Sequence, residues 1–199
     1  CSTHNLNNKP IIALLPGSRK QEISAMLSIM LTVVDKFPEY QFVIAGAPSQ
    51  KLAFYQQFID TDISIIEHQT YDLLQNAHAS LVVSGTATLE TALFKVPQVV
   101  CYKTGWLFYN LAKMVIKTKY ISLVNLIMDK EAVKELIQNE LNTENLMTEL
   151  TKIIDGNSRT KMLSDYEELH QKLGGIGASK RAAELIIGFL NGQHSFNHQ

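Results

Sequence analysis

Two short stretches of this chain carry residues suited to holding a diphosphate. The first, Leu15-Pro16-Gly17-Ser18-Arg19, closes an apolar run and leads through Lys20-Gln21-Glu22 into an amphipathic stretch. Gly17 lets the backbone approach an anion closely, and the Arg19 guanidinium offers a planar fork of donors for phosphate oxygens. The second, Leu81-Val82-Val83-Ser84-Gly85-Thr86-Ala87-Thr88-Leu89-Glu90, passes from a β-branched run through small residues into a helix start. The first N–H groups of a helix lack intrahelical partners and sit at its positive end, so Ser84, Gly85, Thr86 and Ala87 form a candidate phosphate cradle. Glu90 falls about one turn further on, where its carboxylate would repel phosphate but could accept hydrogen bonds from a ribose diol. Each stretch has a plainer reading too. Arg19 could be a solvated arginine on an ordinary strand-to-helix turn, and Thr86 with Glu90 could simply cap a helix.

What is missing narrows the chemistry. No G-x-G-x-x-G follows the first strand and no G-x-x-x-x-G-K-[ST] occurs, which argues against dinucleotide oxidoreductases and P-loop NTPases. His4, His68, His78, His170, His194 and His198 lack metal-ligand spacing, apart from the last two near the end, so no metal site is expected. Cys1 and Cys101 make no disulfide framework, which suggests a reducing compartment. A net charge of -1 gives no general attraction to nucleic acid, and none is expected as a partner. Apolar runs such as Ile11–Leu15 fall well short of the roughly 20 residues of a spanning helix. The opening Cys1-Ser2-Thr3-His4, with no signal-type stretch, suggests a piece of a longer chain.

The elements that must position these residues alternate in type. Strands are expected at Ile11–Leu15, Phe42–Ala45, Ile63–Ile66, Leu81–Val83 and Val99–Tyr102, with helices at Gln21–Lys36, Gln50–Ile59, Tyr71–Asn76, Thr86–Phe94 and Trp106–Ile116. Apolar strands without strict alternation are those of a parallel sheet covered on both faces. The expected fold is α/β: one domain over residues 1–199, a Rossmann-like parallel sheet with helices on both faces. Residues 126–199 form a mostly helical annex, with helices at Glu131–Ile137, Glu144–Ile154, Arg159–Leu173 and Ala178–Leu190. Gly156 and the Gly174-Gly175 pair are its expected helix terminators. In the last helix Ala182, Leu185, Ile186 and Phe189 make an apolar stripe that could pair two copies of the chain through the Gly174-Gly175 hinge. The stretch Tyr102–Tyr109, with Lys113, Lys117 and Lys119, interleaves bulky apolar residues with lysines and suits either a lipid-facing helix or one packed on the sheet.

Taken in order, Leu14-Leu15-Pro16-Gly17-Ser18-Arg19 with Glu22, Ser84-Gly85-Thr86-Ala87 with Leu89-Glu90, and Ile116-Lys117-Thr118-Lys119-Tyr120-Ile121-Ser122-Leu123-Val124-Asn125-Leu126 resemble the lipid-A-disaccharide synthase family. These are inverting glycosyltransferases of the two-domain GT-B type. The similarity continues through Val133-Lys134-Glu135-Leu136 and Glu168-Leu169-His170, and covers the second half of the family's length. Val124 departs from it, standing where the family usually has proline.

The resemblance implies a donor-binding domain whose acceptor site and general base lie in a first domain outside this chain. It implies transfer of 2,3-diacylglucosamine from its UDP derivative to 2,3-diacylglucosamine 1-phosphate, without a metal or other cofactor. Arg19 and Asn125 would lie near the leaving diphosphate, Gly17, Ser18 and the Ser84–Ala87 turn would cradle it, and Glu90 would meet the ribose. Backbone groups around Glu67, His68 and Gln69 would read uracil. The partners would be a UDP-diacylglucosamine donor, a lipid acceptor and the inner-membrane surface of a Gram-negative cytoplasm. Two other readings are a UDP-sugar 2-epimerase of the same fold and a non-catalytic interaction module with a vestigial nucleotide site.

Overall fold

The computed structural model describes residues 6, 8–59, 63–103 and 119–174. Its strands are β1 (Ile11–Leu15), β2 (Gln41–Gly46), β3 (Ser64–Glu67), β4 (Ala77–Val83), β5 (Gln98–Tyr102) and β6 (Lys134–Ile137). All pair in parallel, in the order β3-β2-β1-β4-β5-β6. The helices are α1 (Lys20–Met30), α2 (Leu52–Gln56), α3 (Thr70–Asn76), α4 (Thr86–Leu93), α5 (Leu123–Met128), α6 (Thr143–Ile154) and α7 (Asn157–Lys172). A 3-10 stretch, Leu31–Lys36, continues α1.

Every residue of β1 is buried, because the two faces of the strand enter two different cores. Ile12 and Leu14 pack with Ile23, Leu27 and Met30 of α1 and with Leu146 and Leu150 of α6. Ile11, Ala13 and Leu15 point the other way, into a cluster with Leu73 and Leu74 of α3. Period-two alternation thus becomes a continuous apolar run when helices cover both sides. Fully burying side chains such as Ile12 and Leu14 contributes about 1.5–3 kcal/mol each. The helix α6 buries Leu146, Leu150, Ile153 and Ile154 along one stripe, and its first turn is capped by Asn142, whose side chain accepts from Asn145 N–H at 3.0 Å.

The α/β parallel sheet matches the sequence-based expectation, and five strands fall where the apolar runs stand. The sixth overturns one expectation: Glu131–Ile137 does not form a helix, and Lys134–Ile137 instead adds β6 to the edge of β5, pairing Val99 with Lys134 through Tyr102 with Ile137. Lysine and glutamate have weak strand preference, so the local signal is poor. The open edge of β5 and a buried hydrogen-bond cluster around Glu135 override it. Asn125 sits in α5. Val124 is fully buried at the second position of that helix, behind the Ser122 cap.

Helix α2 is shorter than Gln50–Ile59, and α1 tightens into its 3-10 continuation before Lys36. Gly156 (φ 84°) turns the chain between α6 and α7, as its type suggested. The Trp106–Ile116 stretch, Gly175 and the Ala178–Leu190 stripe lie outside the described residues. Among the described residues, no helix is long and apolar enough to cross a membrane.

Candidate functional site

From β1 the chain crosses to β2 on one side, and from β4 it crosses to β5 on the other, so adjacent β1 and β4 mark the point where the winding reverses. Loops leaving the carboxyl ends of such strands splay apart and open a crevice. Here that crevice is a cleft of ≈ 530 Å³ walled by the turns after β1, β2 and β4 and by Thr70 at the start of α3.

The first wall is a turn that folds against its own helix. Gly17 has φ 100°, and a side chain there would run into the Glu22 carboxylate. Glu22, three residues past the Arg19 N-cap, accepts the Ser18 N–H at 3.0 Å, a capping-box relative shifted by one residue. The Ser18 carbonyl in turn accepts from Ser49 Oγ at 3.1 Å and from Gln50 Nε2 at 3.3 Å, joining the β1 turn to the β2 turn. Arg19 is exposed and lines the cleft, and among the described residues its guanidinium makes no ion pair. Its charge is therefore available to an anion.

The second wall, Ala45–Pro48, is pinned from beneath. Fully buried Tyr55 accepts the Ala47 N–H at 2.8 Å through its hydroxyl oxygen. Burial raises the Tyr55 pKa above its ordinary value, with the Ala47 N–H acting against that shift.

The third wall is the β4-to-α4 turn. Ser84 donates its N–H to the Cys101 carbonyl at 3.1 Å and its hydroxyl to the Ile121 carbonyl at 2.9 Å. Thr88 closes the first turn of α4 by donating both N–H and hydroxyl to the Gly85 carbonyl, at 3.2 and 2.7 Å. The N–H groups of Thr86 and Ala87 precede any intrahelical acceptor, so they and the positive end of α4 meet the cleft. A side chain on Gly85 would meet nothing within 4 Å, so the turn is open on that side.

Gly17, Ser18, Arg19, Ser84, Gly85, Thr86, Ala87 and Glu90 all line this one cleft. Asn125 is not among the residues that line it. It is fully buried, and its amide is spent within the chain. Nδ2 donates to Val133 O and Glu135 Oε1 at 2.8 and 2.9 Å, while Oδ1 accepts from Ala132 and Val133 N–H at 2.8 and 2.9 Å. With two donors and two lone pairs used, the amide has nothing left for a ligand. Nor do Glu67, His68 and Gln69 line the cleft; Thr70 stands there instead. The Ala45-Gly46-Ala47-Pro48 wall was missed in the sequence, although a run of small residues at a strand end is a legible signal for close backbone approach. Among the described residues, no cluster of three His, Cys, Asp or Glu side chains could hold a metal ion.

Sheet order and the reversal at β1 and β4 define a Rossmann-like parallel α/β fold, of the kind found in GT-B glycosyltransferases. The chain superimposes on the calicheamicin glycosyltransferase CalG4 with a TM-score of 0.61, at 13% identity, over 94% of this chain and 45% of that one. It superimposes on a putative UDP-N-acetylglucosamine 2-epimerase from Listeria monocytogenes with a TM-score of 0.57, at 16% identity, over 96% and 48%. At such identities the likeness concerns the fold alone. Sequence goes further: residues 2–187 match the family model described as Lipid-A-disaccharide synthetase, and the chain belongs to that family. It is 39% identical over 190 residues to the lipid-A-disaccharide synthase of Psychromonas ingrahamii, covering 91% of this chain and 49% of that protein. Its identity to the Syntrophus aciditrophicus enzyme of the same name is 37% over 185 residues, covering 88% and 48%. The chain therefore spans about half the length of the curated relatives it matches.

Proposed function

We propose that this chain is the donor-binding half of a lipid-A-disaccharide synthase, holding UDP-2,3-diacylglucosamine while its sugar passes to the 6-hydroxyl of 2,3-diacylglucosamine 1-phosphate. The observation that carries this reading is the convergence of Arg19 and the Ser84–Ala87 turn on one cleft at the β1/β4 reversal, in a chain of this family. As the new bond forms at the anomeric carbon, the bond to the diphosphate breaks and charge grows on UDP. Arg19 and the start of α4 would stabilise that charge. A charge-assisted hydrogen bond contributes roughly 1.5–3 kcal/mol and a helix terminus about 0.3–2 kcal/mol, so several acting together can take the place of a divalent metal. Glu90 would bind the ribose diol. The acceptor site and the general base would come from the other half of the family's length, and lipid-linked substrates would fit a reaction at the cytoplasmic face of the inner membrane.

Calorimetric titration of the chain with UDP, with and without EDTA, tests the reading. The expected result is binding insensitive to EDTA and weakened by both Arg19→Ala and Glu90→Ala. A folded chain that ignores UDP, or binding untouched by either substitution, would count against it and favour a vestigial site.

A further inference from the structure

Glu135 on β6 is only 8% exposed, and among the described residues it has no cationic partner. Its carboxylate is instead ringed by donors: Ile121 N–H at 3.0 Å, Ser122 N–H at 2.9 Å, Ser122 Oγ at 2.7 Å and Asn125 Nδ2 at 2.9 Å. These bonds fix the chain at Ile121 and Ser122. The Ile121 carbonyl then accepts the Ser84 hydroxyl at 2.9 Å. A Ser84 hydroxyl that donates its one hydrogen bond to the Ile121 carbonyl has no donor left for a phosphate, so this side chain serves as a tie rather than a ligand.

We infer that Glu135 is a positioning residue for the diphosphate cradle, acting through Ile121 on Ser84. The inference rests on the UDP-binding reading of the cleft. A carboxylate suits the task because it is acceptor-only and can take four hydrogen bonds; a glutamine would turn an NH2 group toward donors. The neighbouring strand supplies the other end of the clamp, since Ser84 N–H bonds to Cys101, which pairs with Leu136 beside Glu135. The turn that meets the diphosphate is thereby held from two sides, through Cys101 of β5 and through Glu135 of β6, the strand that sequence patterning does not reveal.

The test compares Glu135→Gln, Ser84→Ala and the double variant in the 199-residue chain. Without ligand, amide exchange at Ser84 and Thr88 should rise about tenfold in each single variant and no further in the double, while Ala13 and Leu14 of β1 keep wild-type protection. UDP affinity measured by calorimetry should fall about tenfold in each and, again, no further in the double. Wild-type exchange at Ser84 and Thr88 in Glu135→Gln, a rise that extends equally to Ala13 and Leu14, or losses that add in the double variant would each overturn the inference. Should Glu135→Gln fail to fold, Ser122→Ala removes part of the donor ring and carries the same comparison. A wild-type chain that does not bind UDP removes the proposed function, and the ligand-free exchange still decides whether Glu135 orders the turn.

Discussion

Glu22 accepts the backbone N–H of Ser18 at 3.0 Å and fills the space that a side chain on Gly17 would need. The carboxylate thus stands in for part of the turn's missing hydrogen bonding, and both the φ of 100° and the place taken by Glu22 favour glycine at position 17. The β1 wall of the cleft is therefore shaped before any ligand arrives.

Replacing Gly17 with alanine combines a strained φ of 100° with a clash against Glu22. Gly17→Ala should lower stability by about 1–3 kcal/mol. Urea unfolding of Gly17→Ala and of Gly17→Ala with Glu22→Ala should show the second change recovering part of the loss. Full recovery would mean that backbone strain contributes nothing.

Arg19 is exposed and its guanidinium makes no ion pair among the described residues, so Arg19→Ala should leave unfolding free energy within about 0.5 kcal/mol of wild type. If it meets the UDP diphosphate, affinity should fall by about 10- to 150-fold, and wild-type affinity should weaken as salt is raised. Calorimetry at two ionic strengths reads both effects.

Tyr55→Phe keeps the buried ring but strands the Ala47 N–H, which now bonds to the hydroxyl at 2.8 Å. An unsatisfied buried donor costs about 1–3 kcal/mol. The variant should melt lower, and exchange at Ala47 should rise more than at Ile44 within β2.

Asn125→Ala removes four side-chain hydrogen bonds from a fully buried position. It should destabilise the chain by about 3 kcal/mol or more. Asn125→Asp should be at least as damaging, since it sets a second carboxylate against Glu135, whose Oε1 lies 2.9 Å from the present Nδ2. Stability unchanged in either variant would refute the structural role assigned to Asn125 and return it to the list of ligand contacts.

The Tyr166 hydroxyl is buried, which raises its pKa above the ordinary value, with the hydrogen bond from Gln98 acting the other way. Because the folded-state value is raised, the unfolded chain loses its proton first. The corresponding stability is complete below the unfolded value of about 10 and is lost as pH rises above it toward the folded value. Tyr166→Phe should therefore reduce the slope of stability against pH above pH 10 by up to about 1.4 kcal/mol per pH unit. Urea melts at closely spaced alkaline pH values measure it. An unchanged slope would mean that the hydroxyl ionises equally well in the folded chain.

The amino-acid sequence alone determined the parallel sheet and most of the cleft. Strands β1, β2, β4 and β5 are written as apolar, β-branched runs because burial on both faces demands such residues, and Gly17, Arg19 and the Ser84–Ala87 turn stand at strand ends because that is where an open sheet leaves backbone groups free. Tertiary structure alone decided β6 and the place of Asn125. Lys134 and Glu135 carry no local preference for a strand; they form one because β5 offers an unpaired edge and because Ile121, Ser122 and Asn125, 10 to 14 positions earlier, bring the donors that let a glutamate be buried. Such long-range satisfaction has no period or composition to announce it. An asparagine that reads as a ligand contact in the sequence is, in the folded chain, already bonded at every polar atom of its side chain.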